Sequence, residues 1–143
     1  MDIHIDIVVN PKQSLIKRLC EHMKMSYQAV NPRFFDDPHN ILLVAYTEKD
    51  RPCGMLYAYA LERMETIRPM MMIYAVEVIA SYRKRGIGFM LMERLEEIAR
   101  DMDCSKVFLI TNDDNTAAKA LYEKEGYGRP TMDDILYSKK LDK

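Results

Sequence analysis

The sequence lacks any apolar run long enough to cross a membrane, and it lacks a charged-then-apolar leader at its start. Asp2, His4 and Asp6 interrupt the first apolar residues, so the opening stretch does not have the character of a secretory signal. With 48% hydrophobic and 30% charged residues, the composition is that of an ordinary soluble globular protein. We therefore expect a cytoplasmic protein that does not act at a membrane.

Cysteine is scarce and irregularly placed. Cys20, Cys53 and Cys104 are odd in number and widely separated, which favours neither a disulfide framework nor a metal site. The three histidines are equally scattered and fit no catalytic arrangement. We expect reduced thiols in a reducing compartment, no structural disulfide and no bound metal.

A strong excess of either charge is also missing. The net charge of -1 argues against nucleic acid as a partner. The charges are unevenly distributed, so one molecule could hold an anionic cofactor and a cationic substrate at different places, although paired acids also serve simply as loop and cap residues. The basic cluster is residues 83–85, and the acidic clusters are Asp36-Asp37, Glu62/Glu65, Asp113-Asp114 and Asp133-Asp134.

Repeats, linkers and low-complexity segments are absent, which predicts a single domain over residues 1–143. Hydrophobic periodicity predicts the order β-α-β-β-β-α-β-α-β. The expected fold class is α/β (α+β), with a mixed central sheet and helices on both faces. The expected strands are 3–9, 41–46, 54–61, 70–79, 107–111 and 134–141. Three helices are expected: the first begins at 10–13 and ends near 25–30, the second runs from 89 to 102, and the third runs from 115 to about 126.

Two local patterns are specific enough to test. Asn10, Pro11 and Gln13 have the order of a helix N-cap, first helical residue and capping box. The loop over residues 31–40 contains Phe34 and Phe35 among polar residues. These two aromatics either cover part of a site or anchor the loop to the core.

The strand predicted over residues 70–79 carries one acid, Glu77, in an otherwise apolar run. An acid at such a position either serves a function or faces solvent where the sheet opens. Strict alternation places Glu77 with Ile73, Ala75 and Ile79 on one face, and Tyr74, Val76 and Val78 on the other.

The segment Arg83-Lys84-Arg85-Gly86-Ile87-Gly88 lies between this strand and an amphipathic helix. Glycine allows close approach of the backbone to a ligand, and the first amides of a helix have no intrahelical acceptor. Together with the helix dipole and three basic side chains, they are suited to bind a phosphate or pyrophosphate. The segment is neither a Walker loop nor Gly-x-Gly-x-x-Gly, and a solvated basic turn is the simpler alternative.

Arg83-x-x-Gly86-x-Gly88 is followed in register by Asn115-x-x-Ala118-x-x-Leu121-Tyr122-x-x-x-Gly126-Tyr127. The two segments resemble the acyl-CoA pyrophosphate loop and the second conserved block of the GNAT superfamily of N-acetyltransferases. The resemblance implies a mostly antiparallel sheet in which the strands before and after the helix that follows Arg83 splay apart. It implies acetyl-CoA as the co-substrate. It also implies cofactor contacts from Val76, Val78, Arg83, Lys84, Arg85, Gly86, Ile87, Gly88, Phe89, Asn115 and Tyr122.

The resemblance also implies roles in catalysis. Tyr122 aligns with the tyrosine that donates a proton to the departing sulfur, although it could simply pack on its helix stripe. A backbone amide near Glu77 or Val78 would stabilise the oxyanion. Glu77 is the first candidate for the base that deprotonates the amine, followed by Asp113 and Asp114 at the end of the next strand.

Among GNAT enzymes the sequence is most like the aminoglycoside acetyltransferases that modify the 3-amino group. That group has aspartate where this chain has Ala75, and the acidic turn here is one residue shorter, so the acid has moved or the acceptor differs. Alternatives are a protein N-terminus, a lysine, a polyamine, or a non-catalytic acyl-CoA-binding module. A homodimer is compatible with the resemblance. The acids expected to bind a cationic amine are Asp36, Asp37, Glu77, Asp113 and Asp114.

Overall fold

A computed structural model of the chain describes residues 2–111, 114–128 and 136–141. Five strands within these ranges form one sheet in the order in which they occur along the chain. Neighbouring strands are antiparallel except the last pair, which is parallel because a helix crosses between them. The strands are β1 (His4–Ile7), β2 (Asn40–Tyr46), β3 (Pro52–Leu61), β4 (Met70–Val78) and β5 (Val107–Leu109).

Helices cover both faces of this sheet, as the sequence predicts. The α-helices are α1 (Gln13–Met23), α2 (Ile87–Asp101) and α3 (Thr116–Lys124). The first core packs α2 and α3 against one face around Leu43, Leu56, Met71, Leu91 and Leu95. The second core packs α1 and a short 3-10 helix (Pro32–Asp36) against the other face around Leu19, Leu42, Val44, Tyr46 and Met55. The mixed, mostly antiparallel fold class is therefore confirmed.

The predicted start of α1 is wrong. Asn10 adopts a left-handed conformation with φ of 47°, so it turns the chain between β1 and α1 instead of capping the helix. The N-cap is Lys12, which makes no side-chain capping bond, and the helix ends at Met23, earlier than expected. Local cap chemistry competes here with the turn needed to bring α1 onto the sheet.

The aromatic pair in the loop after α1 anchors that loop to the core. Phe34 and Phe35 lie in the 3-10 helix and pack against the second core. The side chain of Asn31 caps this helix by accepting from the Arg33 amide at 3.1 Å. The side-chain amide of Asn40 donates to the Phe34 carbonyl at 3.1 Å, which ties the helix to the start of β2.

Strand β4 contains a bulge that sequence periodicity does not reveal. Tyr57 pairs with Ala75 while Ala58 pairs with Ile73, so Tyr74 is an extra residue in the ladder. Strict alternation along 70–79 is therefore wrong: Ile73 and Val76 both contact the first core. Glu77 lies on the α1 face instead.

The predicted boundaries of α3 are confirmed at both ends. The side chain of Asn115 accepts from the Ala118 amide at 3.2 Å, and Gly126 follows the helix with φ of 94°. The predicted strand 134–141 is wrong over its described part. Asp133, Asp134 and residue 135 lie outside the described residues, and 136–141 form no strand.

Within the described ranges, no helix has both the length and the apolar character that a bilayer span requires. Over those same residues, no three metal-ligating side chains converge. Cys20, Cys53 and Cys104 are free thiols, and burial raises the pKa of each. Such thiols are protonated at neutral pH, so we interpret them as packing groups.

Candidate active site

The turn between β4 and α2 leaves backbone amides without an intrahelical acceptor. Gly86 is the N-cap of α2 with φ of 80°, a conformation that costs an L-residue roughly 1–2 kcal/mol. The Met90 amide donates to the Gly86 carbonyl at 3.0 Å. The amides of residues 87–89 precede that bond and therefore have no intrahelical acceptor, and such amides at the start of a helix are suited to bind anions.

The basic residues of the turn are exposed, and two of them also hold its shape. The Arg83 Nε donates to the Val78 carbonyl at 3.0 Å, which ties the turn to the end of β4. The Arg85 guanidinium lies 5.1 Å from the centre of the Tyr82 ring, within cation–π range. Lys84 adopts φ of 63°, so the chain reverses direction between Arg83 and Arg85. The positive charge is thus concentrated beside the free amides of α2.

Gly88 has a packing role in addition to the ligand approach predicted for it. A Cβ at this position would lie 3.1 Å from Cδ2 of Leu121 on α3, so a side chain here would push the two helices apart. Phe89 is half-buried, with the Lys124 ammonium 5.9 Å from its ring centre. Gly88 belongs to the first motif noted in the sequence and Leu121 to the second, so the two motifs are in contact.

A gap opens in the sheet beside this turn. β5 pairs with β4 only from Met71 to Ile73, and β4 continues to Val78 after β5 has ended. The last five residues of β4 therefore have no strand partner on the β5 side among the described residues. This arrangement agrees with the splayed strands that the resemblance implies.

The direction of the β4 amides follows from one hydrogen bond. The Ile79 amide donates to the Cys53 carbonyl of β3 at 2.9 Å. Since amides alternate in an antiparallel ladder, the Glu77 amide also points toward β3, whereas those of Val76 and Val78 point into the gap. Of the two oxyanion donors considered from the sequence, the geometry favours Val78 over Glu77.

The charge of Glu77 acts on Tyr122 although the two residues come from distant parts of the chain. Tyr122 is half-buried on α3 and packs against the first core. Its pKa is raised chiefly by burial and further by the negative charge of Glu77, which is therefore close enough to act on the phenol. The Tyr122 hydroxyl is protonated at neutral pH and can donate, while Glu77 is exposed at the end of β4 and can accept.

An aromatic cluster that was not predicted from the sequence lies on the α1 face beside Glu77. Tyr57 and Tyr74 stack with ring centres 5.0 Å apart, and Tyr59 meets Tyr74 edge-on at 5.8 Å. Phe34 and Phe35 extend the cluster toward a cavity of about 270 Å³ beneath α1. The tyrosines at 57 and 59 share one strand face by alternation, which was the available signal. The bulge concealed Tyr74.

The other acids expected to bind substrate are placed differently. Asp37 accepts from the His39 amide at 2.9 Å and lies 3.1 Å from the His39 ring nitrogen, and these bonds lower its pKa. Asp37 therefore serves as a loop cap. Asp36 is exposed at the end of the 3-10 helix, Asp114 is exposed in the turn before Asn115, and Asp113 lies outside the described residues.

A second group of titratable side chains lies between α2 and the end of α3, beside a cavity of about 420 Å³. Burial, a hydrogen bond to Glu96 and repulsion from Glu96 and Glu93 raise the pKa of Glu125 to about 7. The Tyr127 hydroxyl donates to Glu96 Oε2 at 3.2 Å, and Arg100 lies 3.7 Å from the same carboxylate. This group is separate from the β4 gap.

The raised pKa of Glu125 predicts that the protein loses stability as the pH rises. The ordinary value is 4.5, so the stabilising protonated form is complete below pH 4.5 and is lost as the pH rises to about 7. We expect the free energy of unfolding to fall by on the order of 1 kcal/mol over that window, since the carboxyl is only partly shielded. Urea titrations at pH 5 and pH 8 measure this fall.

Glu125→Gln should abolish that fall, whereas Glu123→Gln, at an exposed position on α3, should preserve it. An equal fall in the Glu125→Gln variant would show that other groups are responsible.

Comparison with known proteins adds a family. The sequence model described as "Acetyltransferase (GNAT) family" matches residues 13–127. The curated protein YdhI of Bacillus subtilis (strain 168), itself described as uncharacterized, is 44% identical over 43 residues. That match spans 30% of this chain and 27% of YdhI, so the chain covers about a quarter of that relative.

Two solved structures are similar over nearly the whole chain. An aminoglycoside acetyltransferase from an uncultured soil metagenomic sample is 25% identical with a TM-score of 0.76, covering 96% of this chain and 100% of its own. The aminoglycoside antibiotic 6'-N-acetyltransferase AAC(6')-Ih from Acinetobacter baumannii is 19% identical with a TM-score of 0.74, covering 99% and 100%. The second similarity is one of fold.

Proposed function

Because the chain belongs to the acetyltransferase (GNAT) family, we propose that it transfers the acetyl group of acetyl-CoA to a primary amine of an aminoglycoside within a ternary complex. The observation that carries the proposal is that the α2 amides without an intrahelical acceptor come just after the end of β4. There the Val76 and Val78 amides point into the gap, and the charge of Glu77 acts on Tyr122. The aminoglycoside acetyltransferase that is 25% identical supports the choice of acceptor.

The cofactor site follows from the backbone amides that lack an intrahelical acceptor. The amides of residues 87–89 and the basic residues 83–85 are suited to the pyrophosphate of coenzyme A. The Val76 amide offers a hydrogen bond to the pantetheine arm in the gap, as an added strand would receive it, which leaves the Val78 amide for the thioester carbonyl. Asn115 is already engaged as a helix cap, so any contact with the cofactor would be additional.

The reaction needs one proton acceptor and one proton donor. The amine nitrogen attacks the thioester carbonyl carbon while the Val78 amide stabilises the negative charge on the carbonyl oxygen. Before this attack Glu77 takes a proton from the ammonium, directly or through water. The nitrogen then releases its second proton to solvent as the carbon–sulfur bond breaks. Tyr122 then protonates the departing thiolate, and proton exchange with solvent restores both residues.

The acceptor position is a finer part of the proposal. The resemblance in sequence favours the 3-amino group, whereas one of the similar folds is a 6'-N enzyme. A protein N-terminus, a lysine or a polyamine is the rival class of acceptor. Mass spectrometry and NMR of the acetylated product would identify the nitrogen that is modified.

A thiol-release assay tests the function directly. We expect purified protein with acetyl-CoA to release thiol on addition of kanamycin, gentamicin or sisomicin, and to do so faster than with spermidine or an N-terminal peptide. Release with the peptide or polyamine alone would assign the enzyme to the rival class. Binding of coenzyme A without release on any amine would indicate a module without turnover.

Gly86→Ala tests the α2 turn as the cofactor site. A Cβ meets no steric obstacle there, but the φ of 80° strains alanine, so we expect the turn to relax and the amides to shift. We expect coenzyme A to bind about tenfold more weakly by calorimetry, the equivalent of roughly 1.4 kcal/mol. Gly128→Ala is the matched control, because Gly128 lacks both a positive φ and a close neighbour. Equal affinities of the two variants for coenzyme A would show that the cofactor does not bind at this turn.

A further inference from the structure

One aromatic side chain beside the candidate site, Tyr74, packs against other rings on one face and is exposed on the other. Tyr74 is 58% exposed although it stacks on Tyr57 with an interplanar angle of 25°. Stacking covers one face of the Tyr74 ring, and Tyr59 packs against it at 81°. The exposed fraction therefore includes the outer ring face.

The rings behind Tyr74 form a continuous support. Phe34 contacts Tyr57 edge-to-face at 5.6 Å and Tyr59 at 6.0 Å. Edge-to-face and offset contacts of this kind stabilise ring orientation beyond simple burial. Since the β4 bulge adds Tyr74 to a ladder that otherwise pairs Tyr57 with Ala75, the backbone itself directs Tyr74 toward this cluster. The outer face is thus preorganised.

The distance from Tyr74 to Glu77 can be spanned by one six-membered ring that carries an amino group. Tyr57 pairs with Ala75 and Met55 pairs with Glu77, so the stacked tyrosines and the carboxylate share the α1 face of the sheet. Tyr74 lies three residues before Glu77, a separation of about 10 Å along an extended strand. A six-membered ring lying on Tyr74 would therefore bring an amino group on its edge to Glu77.

Resting on the proposed function, we infer that Tyr74 determines specificity by accepting the flat face of a ring that carries the reactive amine. The C–H face of an aminosugar packs on an aromatic ring, and its ammonium groups are attracted by the ring quadrupole. A linear polyamine or lysine side chain has no such face and loses more rotational freedom on binding. The acceptor is therefore a ring-borne amine.

The test compares a ring-borne with a linear acceptor. Tyr74→Ala should raise the KM for kanamycin about tenfold and change kcat less. It should raise the KM for spermidine by a clearly smaller factor and leave the affinity for coenzyme A unaltered. Tyr74→Phe keeps the ring and should resemble the wild type. Three results would each overturn the inference. They are an equal effect on the KM of both amines, no effect on either KM, and an effect in Tyr74→Phe as large as in Tyr74→Ala.

A binding measurement separates this inference from the proposed function. Calorimetry of kanamycin with the protein saturated by coenzyme A requires no turnover. If the wild type releases no thiol but binds kanamycin about tenfold more tightly than Tyr74→Ala, the proposed reaction fails and the ring site stands. If thiol is released and the two proteins bind kanamycin equally, the reaction stands and the ring site fails.

Discussion

Replacing Tyr122 with phenylalanine should lower kcat by about 10²–10⁴-fold while leaving the affinity for acetyl-CoA nearly unchanged. The substitution removes only the hydroxyl, so the half-buried ring should keep its packing against the first core. Burial and the charge of Glu77 both raise the pKa of this phenol, which keeps it protonated and able to donate through neutral and mildly alkaline pH. Steady-state kinetics by thiol release, with calorimetry for cofactor affinity, measure both quantities.

Tyr27→Phe is the matched control for this loss, because Tyr27 lies in a short 3-10 helix after α1, where Lys17 packs over its ring. We expect kinetics like those of the wild type. A normal kcat in Tyr122→Phe would remove the proton-donor role and leave Tyr122 as a packing residue of α3.

Glu77→Gln should lower kcat/KM at pH 7 by about 10²-fold, because the glutamine cannot accept the proton that the attacking amine loses. The loss should shrink as the pH rises toward the pKa of the acceptor amine. In this range each unit of pH raises the fraction of neutral amine about tenfold, which replaces the function of the base. A pH profile of kcat/KM for wild type and variant therefore distinguishes a base from a residue that merely positions the substrate.

The same substitution removes one of the two causes that raise the pKa of Tyr122, so that pKa should fall toward its ordinary value. Glu48→Gln, in the exposed turn between β2 and β3, is the control and should change neither measurement. If the kinetics of Glu77→Gln are unaltered and Asp114→Asn loses kcat/KM, the base lies in the acidic turn and is not Glu77.

Local chemistry explains why several predictions succeed. The N-cap at Asn115 and the glycine at Gly126 define α3 through contacts within a few residues, and the structure confirms both. Alternation along the predicted strand 54–61 also holds, since Met55 and Tyr57 both contact the second core. The failure at Asn10 has the opposite cause, because the turn into α1 depends on where that helix must dock.

The amino-acid sequence by itself determined the order of the first five strands and three helices, the glycine turn before α2 and the family motif, because each depends on short-range periodicity, caps and backbone conformation. Only the tertiary structure decided that Tyr74 is an extra residue in β4, that the Val76 and Val78 amides point into the gap, and that Glu77 acts on Tyr122. These facts depend on cross-strand register and on packing between distant segments. No pattern within a single segment records them.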